Sequence, residues 1–216
     1  MTSPPAVIAI TDSTRGDLER WLAQLERLLA GAAPGRVLTV LRDRQLPVQA
    51  RRALGERLRE LTRRYAQPLS VNDRLDLAAL LDADAVHLSE SSVDVSDARA
   101  FGRDVTGRAW WVSRASHDPD DAAQDEADAL LLAPVAAPRK GRAALGVAGV
   151  QRARRARDRR SAEFGASALY ALGGVSAGNA AALIRAGADG VALIGALVDD
   201  GAPRALIDAL SLRRSQ

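Results

Sequence analysis

The chain has 216 residues, 47% of them hydrophobic and 26% charged, with a formal net charge of +3. Aromatic residues make up only 3%, which argues against modules that stack nucleic-acid bases on aromatic side chains, so we expect no nucleic-acid partner. The lack of cysteine excludes disulfides and cysteine-ligated metal centres, and no apolar run is long enough to suggest a membrane span.

Short apolar runs alternate with longer amphipathic segments along the whole chain. No basic segment precedes the first apolar run, so we expect no signal peptide and a cytoplasmic protein. The predicted strands are Val7–Thr11, Arg36–Leu41, Leu69–Asn72, Ala85–Leu88, Ala109–Val112, Ala129–Leu132, Ala168–Leu172 and Gly190–Ile194. The predicted helices that follow them are Arg15–Ala30, Pro47–Tyr65, Arg74–Leu81, Val95–Phe101, Pro119–Glu126, Val147–Arg160, Ala177–Arg185 and Ala202–Leu212.

The number and spacing of these elements indicate the fold. Eight strand–helix units in 216 residues give about 27 residues per unit, a length typical of a compact barrel. An open doubly wound sheet would have fewer strands and a glycine-rich turn after the first, whereas Asp12–Arg15 contains no glycine. We therefore predict the α/β class, a single (β/α)₈ TIM barrel, with one domain over residues 1–216.

In such barrels the active site lies at the carboxyl ends of the strands. Several cationic groups and two glycine-bearing segments at these ends favour a small phosphorylated ligand. The candidate positions, in chain order, are Asp12, Arg42, Arg44, Asn72, Asp73, Ser89, Glu90, Arg114, Ser116, His117, Pro134, Lys140, Gly173, Gly174, Ile194 and Gly195.

The segments after the seventh and eighth predicted strands are the most informative. Gly173 and Gly174 follow the seventh strand, and Gly195 follows Ile194 at the end of the eighth. Glycines let the main chain approach an anion and direct N–H groups toward it, and phosphate sites at this place are common in barrels. The pattern predicts a phosphate site, although the same glycines are compatible with tight turns alone.

Other features leave two interpretations open. Asp73 can bind Mg²⁺ weakly, since one carboxylate makes a poor magnesium site, or it can N-cap the following helix. Glu90 can bind a cation or act as a base, or it can be an ordinary surface carboxylate. The arginine-rich segment 151–160 fits an anionic partner or a solvated helix face.

Taken in order, these motifs resemble the thiamine phosphate synthase/TenI superfamily. The firmest matches are Ile8–Asp12, Leu41–Arg44, Val71–Ala78, Ala85–Leu88, Gly173–Val175 and Ala186–Val191. The resemblance implies thiamine biosynthesis. Synthases of this family couple hydroxymethylpyrimidine pyrophosphate to hydroxyethylthiazole phosphate, with Mg²⁺ and cationic side chains stabilising the departing pyrophosphate. TenI-type relatives instead tautomerise a thiazole carboxylate phosphate with a histidine. The resemblance also suggests a homodimer.

Residue by residue, the resemblance assigns roles to ten positions. It implies that main-chain amides at Gly174, Ile194 and Gly195 bind the thiazole phosphate. It places Asp73 at a magnesium position whose second carboxylate is replaced by Ser92. The implied catalytic residues are Arg42, Asp73 and Lys140, and the implied substrate-binding residues are Arg44, Asn72, Ser116, His117, Gly174, Ile194 and Gly195.

The chain departs from the family pattern on the pyrimidine and metal side. Val40 stands where synthases have a glutamine, and Ala115 where they have a serine. The loop at Ala137–Lys140 lacks both family hydroxyls, and Pro134 takes the place of the tautomerase histidine. Besides synthesis, two hypotheses therefore remain open. One is a non-catalytic barrel that binds thiazole phosphate or thiamine phosphate, and the other is an isomerase or lyase with Glu90 or His117 as base.

Overall fold

The structure is a computed structural model that describes residues 4–123, 125–139, 141–164, 167–197 and 206–207, with main chain only for 160–164. Lys140 lies outside the described residues. So does the predicted helix Ala202–Leu212, except for Leu206 and Ile207, which are helical. No described helix is long and apolar enough to cross a membrane.

Eight parallel strands form a closed ring, which confirms the predicted (β/α)₈ barrel. Each strand pairs with the next in the chain, and the eighth pairs with the first. Both sheet faces are covered, so the strands are almost continuously buried and apolar. The strands are β1 (Val7–Ile10), β2 (Val37–Leu41), β3 (Leu69–Asn72), β4 (Ala85–Leu88), β5 (Trp111–Ser116), β6 (Ala129–Leu132), β7 (Ala168–Leu172) and β8 (Gly190–Leu193).

Helices cover the outside of the ring, and several of the predicted helix boundaries are wrong. The helices are α1 (Leu18–Gly31), α2 (Val48–Arg64), α3 (Leu75–Leu80), α4 (Val95–Thr106), α5 (Gly146–Phe164) and α6 (Ala177–Arg185). Helix α4 continues past Phe101 because Gly102 is a packing site and not a stop: a Cβ there would lie 3.0 Å from the Trp110 ring. It ends at Gly107, which has a φ of 75°.

The predicted strand Ala109–Val112 is also wrong, because β5 begins at Trp111 and runs on through Ser116. Polar residues in its second half conceal the strand from a search for apolar runs. The segment predicted as the helix Pro119–Glu126 forms a short 3₁₀-helix, Pro119–Ala123.

The centre of the barrel is filled around Tyr170. Its ring meets Trp111 edge to face, with ring centroids 6.5 Å apart. Gly190 leaves the space that this ring occupies, because a Cβ at Gly190 would lie 2.5 Å from Tyr170 Cε1. The Tyr170 hydroxyl donates to the carbonyl oxygen of Pro5 at 2.7 Å and so ties β7 to the segment that leads into β1.

Three aspartates at the amino-terminal edge of the barrel repeat one arrangement, which we call the aspartate clamp. Each aspartate directly precedes an even-numbered strand. Its carboxylate accepts a hydrogen bond from a main-chain N–H near the start of the odd-numbered strand before it. The same carboxylate pairs with an arginine on the helix that leads into that odd-numbered strand. The sets are Asp84 with Leu69 and Arg59, Asp128 with Val112 and Arg99, and Asp189 with Leu169 and Arg157.

Candidate functional site

The carboxyl ends of the strands surround a cavity of about 520 Å³. Its wall combines small residues from the turns after β7 and β8 with cationic side chains from other turns. Among the described residues no aspartate or glutamate lines it. The lining residues are Arg15, Arg42, His117, Ala133, Pro134, Arg139, Arg142, Leu172–Val175 and Ala192–Ala196.

The turns after β7 and β8 offer free main-chain donors. Among the described residues, none accepts a hydrogen bond from the N–H of Gly174 or of Gly195. Gly174 has a φ of 71°, and a Cβ there would lie 2.7 Å from the main-chain nitrogen of Ala137. The glycine is therefore required both by its left-handed conformation and by the close approach of the chain after β6. Free amides beside a cavity are suited to binding an anion.

Two arginines stand on the β1–β2 side of the cavity and share one carboxylate. Asp12 Oδ2 lies 2.8 Å from Arg42 Nη2 and 3.3 Å from Arg15 Nε. The Asp12 side chain is only 4% exposed, so it fixes both guanidinium groups from below. Arg15 Nη1 lies 3.3 Å from the point that a Cβ on Gly195 would occupy. A guanidinium therefore adjoins the turn after β8.

Two more arginines come from the β6–α5 loop (residues 133–145). Arg139 and Arg142 exchange both main-chain hydrogen bonds at 3.0 Å, which forms a tight turn. The loop is held at both ends, because Val135 N donates to Leu172 O and Gly146 N donates to Val135 O, each at 2.9 Å. Both arginines line the cavity, so a fixed turn presents them to its contents.

Glu90 faces this loop from the turn after β4. Its Oε2 lies 3.6 Å from Arg142 Nη2 and 3.7 Å from His117 Nε2. The Nδ1 of His117 is hydrogen-bonded to the carbonyl oxygen of Ala133. Because a carbonyl only accepts, Nδ1 carries the proton, and in the neutral ring Nε2 is left with its lone pair on the side of Glu90.

Arg44, Asn72 and Asp73 form a separate hydrogen-bonded cluster that does not line the cavity. Arg44 Nη2 lies 2.8 Å from Asp73 Oδ2 and 3.1 Å from Asn72 Oδ1. The other Asp73 oxygen accepts a 2.8 Å hydrogen bond from Ser89 N. Asp73 is held in the left-handed region with a φ of 60°, and the helix N-cap position belongs to Arg74. The predicted N-cap role of Asp73 is therefore wrong.

These residues do not fit the magnesium site that the resemblance implies. Both oxygens of Asp73 are already committed, to Arg44 and to Ser89 N. Mg²⁺ needs oxygen ligands in near-octahedral geometry, and Ser92 offers only a neutral hydroxyl. Within the described part of the chain, no three or more His, Cys, Asp or Glu residues are grouped so that they could hold a metal ion.

His87 lies beneath this cluster, inside the barrel. Its Nδ1 is 2.9 Å from Ser113 Oγ, and its main-chain oxygen accepts from Asn72 Nδ2 at 3.0 Å. Burial lowers the pKa of His87 from 6.5 to about 4; Asp73 opposes this shift, while Arg44 and Arg42 add to it. The ring is therefore neutral near pH 7 and acts as a packed support for the residues above it.

The cavity brings together five of the ten positions to which the resemblance assigns roles, namely Arg42, His117, Gly174, Ile194 and Gly195. The other candidate positions in its wall are Pro134 and Gly173. The predicted residues Arg44, Asn72 and Asp73 stand in the neighbouring cluster. Ser116 does not line the cavity, because its hydroxyl bonds Asp121 Oδ2 at 2.7 Å and the carbonyl of Asp118 at 2.9 Å.

Sequence reasoning did not single out three of the arginines that line the cavity, Arg15, Arg139 and Arg142. A signal for each was present in the sequence. Arg15 follows the first strand directly, and the other two flank Lys140 in the shortened loop.

Comparisons with known proteins find relatives along nearly the whole chain. The family model TMP-TENI, described as thiamine monophosphate synthase, matches residues 7–197. The chain is 35% identical over 211 residues to a thiamine-phosphate synthase of Thermus thermophilus, covering 95% of both proteins. It is 36% identical over 203 residues to one of Thiobacillus denitrificans, covering 92% of this chain and 89% of the relative. A thiamine phosphate pyrophosphorylase structure from Pyrococcus furiosus superposes with a TM-score of 0.74 at 23% identity, covering 95% of each chain.

Proposed function

The chain belongs to the thiamine monophosphate synthase family of thiamine biosynthesis, and on that premise we propose that it couples hydroxyethylthiazole phosphate to hydroxymethylpyrimidine pyrophosphate. The observation that carries the proposal is the cavity at the carboxyl edge, where the main-chain N–H groups of Gly174 and Gly195, unpaired within the described part of the chain, lie beside four arginines. Such a wall suits a phosphate monoester together with a second, more highly charged anion.

The proposed reaction is a substitution at the pyrimidine methylene carbon. The bond from this carbon to the pyrophosphate oxygen breaks, and the pyrophosphate leaves with the electron pair. The lone pair of the thiazole nitrogen then forms the new carbon–nitrogen bond, which gives a thiazolium ring without loss of a proton. Charge develops on the leaving oxygen, so fixed cations near it lower the barrier.

The chain's own residues fit different parts of this reaction. We assign the thiazole phosphate to the amides of Gly174, Ile194 and Gly195, with Arg15 beside them. Arg42, held by Asp12, faces the leaving group, and we propose the same for Lys140. Arg44, Asn72 and Asp73 act as a positioning cluster. Mg²⁺ has no step in this scheme, because both Asp73 oxygens are occupied.

The direct test supplies both substrates to the purified protein and follows thiamine phosphate and pyrophosphate release. We expect both products in equal amounts, and expect the Arg42→Gln variant to lose most of the turnover. Exposed Arg52, whose one ion-pair partner among the described residues is Glu56 on α2, provides the matched control Arg52→Gln, which should keep full activity. Saturable thiazole phosphate binding without any product would contradict synthesis.

A non-catalytic binding barrel is the second candidate. It is favoured by Val40, which is fully buried in the barrel interior where the resemblance implies a pyrimidine-binding glutamine. A proton-transfer enzyme is a third candidate, favoured by His117 Nε2, which lies 3.7 Å from Glu90 Oε2. It would lose activity on His117→Ala without any need for the pyrimidine substrate.

We also propose that the protein is cytoplasmic and that it forms a homodimer. Gel filtration would test the homodimer. The location follows from the proposed substrates, because phosphorylated compounds carry charges that are costly to move through a bilayer. Cell fractionation would test it.

A further inference from the structure

We propose that Arg139 and Arg142 bind the pyrophosphate group directly and make this site independent of a divalent metal ion. The inference rests on the proposed function for the identity of the co-substrate, while the anion site itself rests on the contacts described above. It concerns the leaving-group end of the cavity, where the sequence departs furthest from the family pattern.

The aspartates near this end of the cavity already have cationic partners. Asp12 holds Arg42 and Arg15, and Asp73 holds Arg44 while accepting the N–H of Ser89. To bind a cation, either carboxylate would have to give up an ion pair. Four arginines line the cavity, and among the described residues no carboxylate does. The cavity therefore attracts anions and repels free divalent cations.

The β6–α5 loop is closed by its own main-chain hydrogen bonds. The reciprocal hydrogen bonds between Arg139 and Arg142 close a turn in which Gly141 has a φ of 75°. The loop is also bonded to the end of β7 through Val135 N and Leu172 O, so hydrogen bonds hold the main chain from which the two guanidinium groups extend. Arginine offers a planar fork of donors that matches phosphate oxygens in pairs, so two of them can neutralise much of the charge on a pyrophosphate.

Among the described residues, Arg142 has one charge partner near the cavity, Glu90. The Glu90 carboxylate lies 3.6 Å from Arg142 Nη2 but does not line the cavity. At this distance the ion pair is loose, so an incoming anion can replace Glu90 as the partner of Arg142.

Calorimetry with inorganic pyrophosphate tests the proposal on the full chain. We expect saturable binding in excess EDTA, with a Kd within about threefold of that measured with Mg²⁺. Arg139→Gln and Arg142→Gln should each weaken binding about tenfold, since each removes one charge-assisted contact. Arg142→Lys should fall between wild type and Arg142→Gln, because it keeps the charge and loses the fork. The control Arg152→Gln, whose side chain pairs with Asp120 outside the cavity, should bind as wild type does.

Two outcomes would overturn the proposal: pyrophosphate binding that appears only when Mg²⁺ is added, or wild-type affinity in the Arg139→Gln/Arg142→Gln double variant. Thermal unfolding of each variant verifies that it is folded. Turnover separates this inference from the proposed function. Metal-free pyrophosphate binding without thiamine phosphate formation would support metal independence and contradict synthesis. Synthesis that stops in EDTA would support the proposed function and contradict metal independence.

Discussion

Gly174 combines a left-handed main-chain conformation with a main-chain N–H that we propose binds the thiazole phosphate. We expect Gly174→Ala to lower the free energy of unfolding by about 2–4 kcal/mol, because it strains a positive φ and overlaps Ala137. Affinity for hydroxyethylthiazole phosphate should fall at least tenfold as the turn shifts. Urea unfolding and calorimetry measure the two effects.

Gly178 provides the matched control for this substitution. It lies in α6, where a Cβ would meet only Ser176 Oγ at 3.7 Å. Gly178→Ala should change stability by less than about 1 kcal/mol, in the stabilising direction. Equal losses in the two variants would show that Gly174 has no special conformational role.

His87 makes stability depend on pH in a defined window. Burial holds its pKa in the folded state at about 4, below the ordinary 6.5. As the pH falls through this interval the unfolded chain binds a proton and the folded chain does not, so stability present above pH 6.5 is lost toward pH 4. The loss should reach up to about 3 kcal/mol.

Urea unfolding across this interval measures the effect, with His87→Gln as the comparison. The variant should lack most of the slope between these pH values. Asp43 and Asp76 do not obscure it, because their carboxyl pKa values are lowered from 3.8 and their losses come at more acidic pH. An unchanged slope in His87→Gln would assign the dependence to other groups.

Some residue-level features of the site could be predicted from the sequence, and others could not. Gly174 and Gly195 stand out because glycines after the last two strands of a barrel have a direct physical purpose. The sequence does not reveal that both Asp73 oxygens are already bonded. Those bonds depend on a left-handed main-chain conformation and on Arg44 and Ser89, which are distant from Asp73 in the sequence or not linked to it by any motif.

At the scale of secondary-structure elements, we expect the aspartate clamps to contribute measurably to the free energy of unfolding. Asp84 Oδ2 accepts from Leu69 N at 2.9 Å and from Arg59 at 2.6 Å, and the Arg59 side chain is 14% exposed. Asp84→Asn should therefore cost about 1–3 kcal/mol, because the arginine is left without its charge partner in a half-buried place.

Asp82→Asn is the matched control for this clamp. Asp82 pairs with Arg63 and Arg108 on the surface, where its side chain is 54% exposed, and exposed pairs contribute little. We expect a change of less than about 1 kcal/mol by urea unfolding. A larger loss in Asp82→Asn than in Asp84→Asn would contradict a special role for the clamp.

Apolar runs located every strand, but they placed β5 poorly. Its polar second half, Ser113–Ser116, is held by ladders to β4 and β6, so pairing with neighbours and not residue preference makes it a strand. Packing also overrides residue preference at Gly102. Glycine usually weakens helices, but here it lies inside α4 because a side chain would collide with Trp110.

The whole molecule depends on closure of the ring between β8 and β1. Every strand has two neighbours, so we expect urea unfolding of the chain as one cooperative transition. Tyr170→Phe should cost about 1–2 kcal/mol, since it leaves the buried Pro5 carbonyl without its hydrogen bond at this seam. Tyr65→Phe, which removes a half-buried contact to Glu26, should cost less than about 1 kcal/mol. Equal costs would argue against a distinct role for the seam.

The position of the aspartate clamps has an evolutionary consequence. All three lie at the amino-terminal edge of the barrel, on the far side from the arginine-lined cavity. Mutations that retune the ligand site therefore leave the clamps intact and carry little penalty in folding. A lineage with this barrel can lose its ancestral ligands one at a time and acquire new ones, while every intermediate protein still folds.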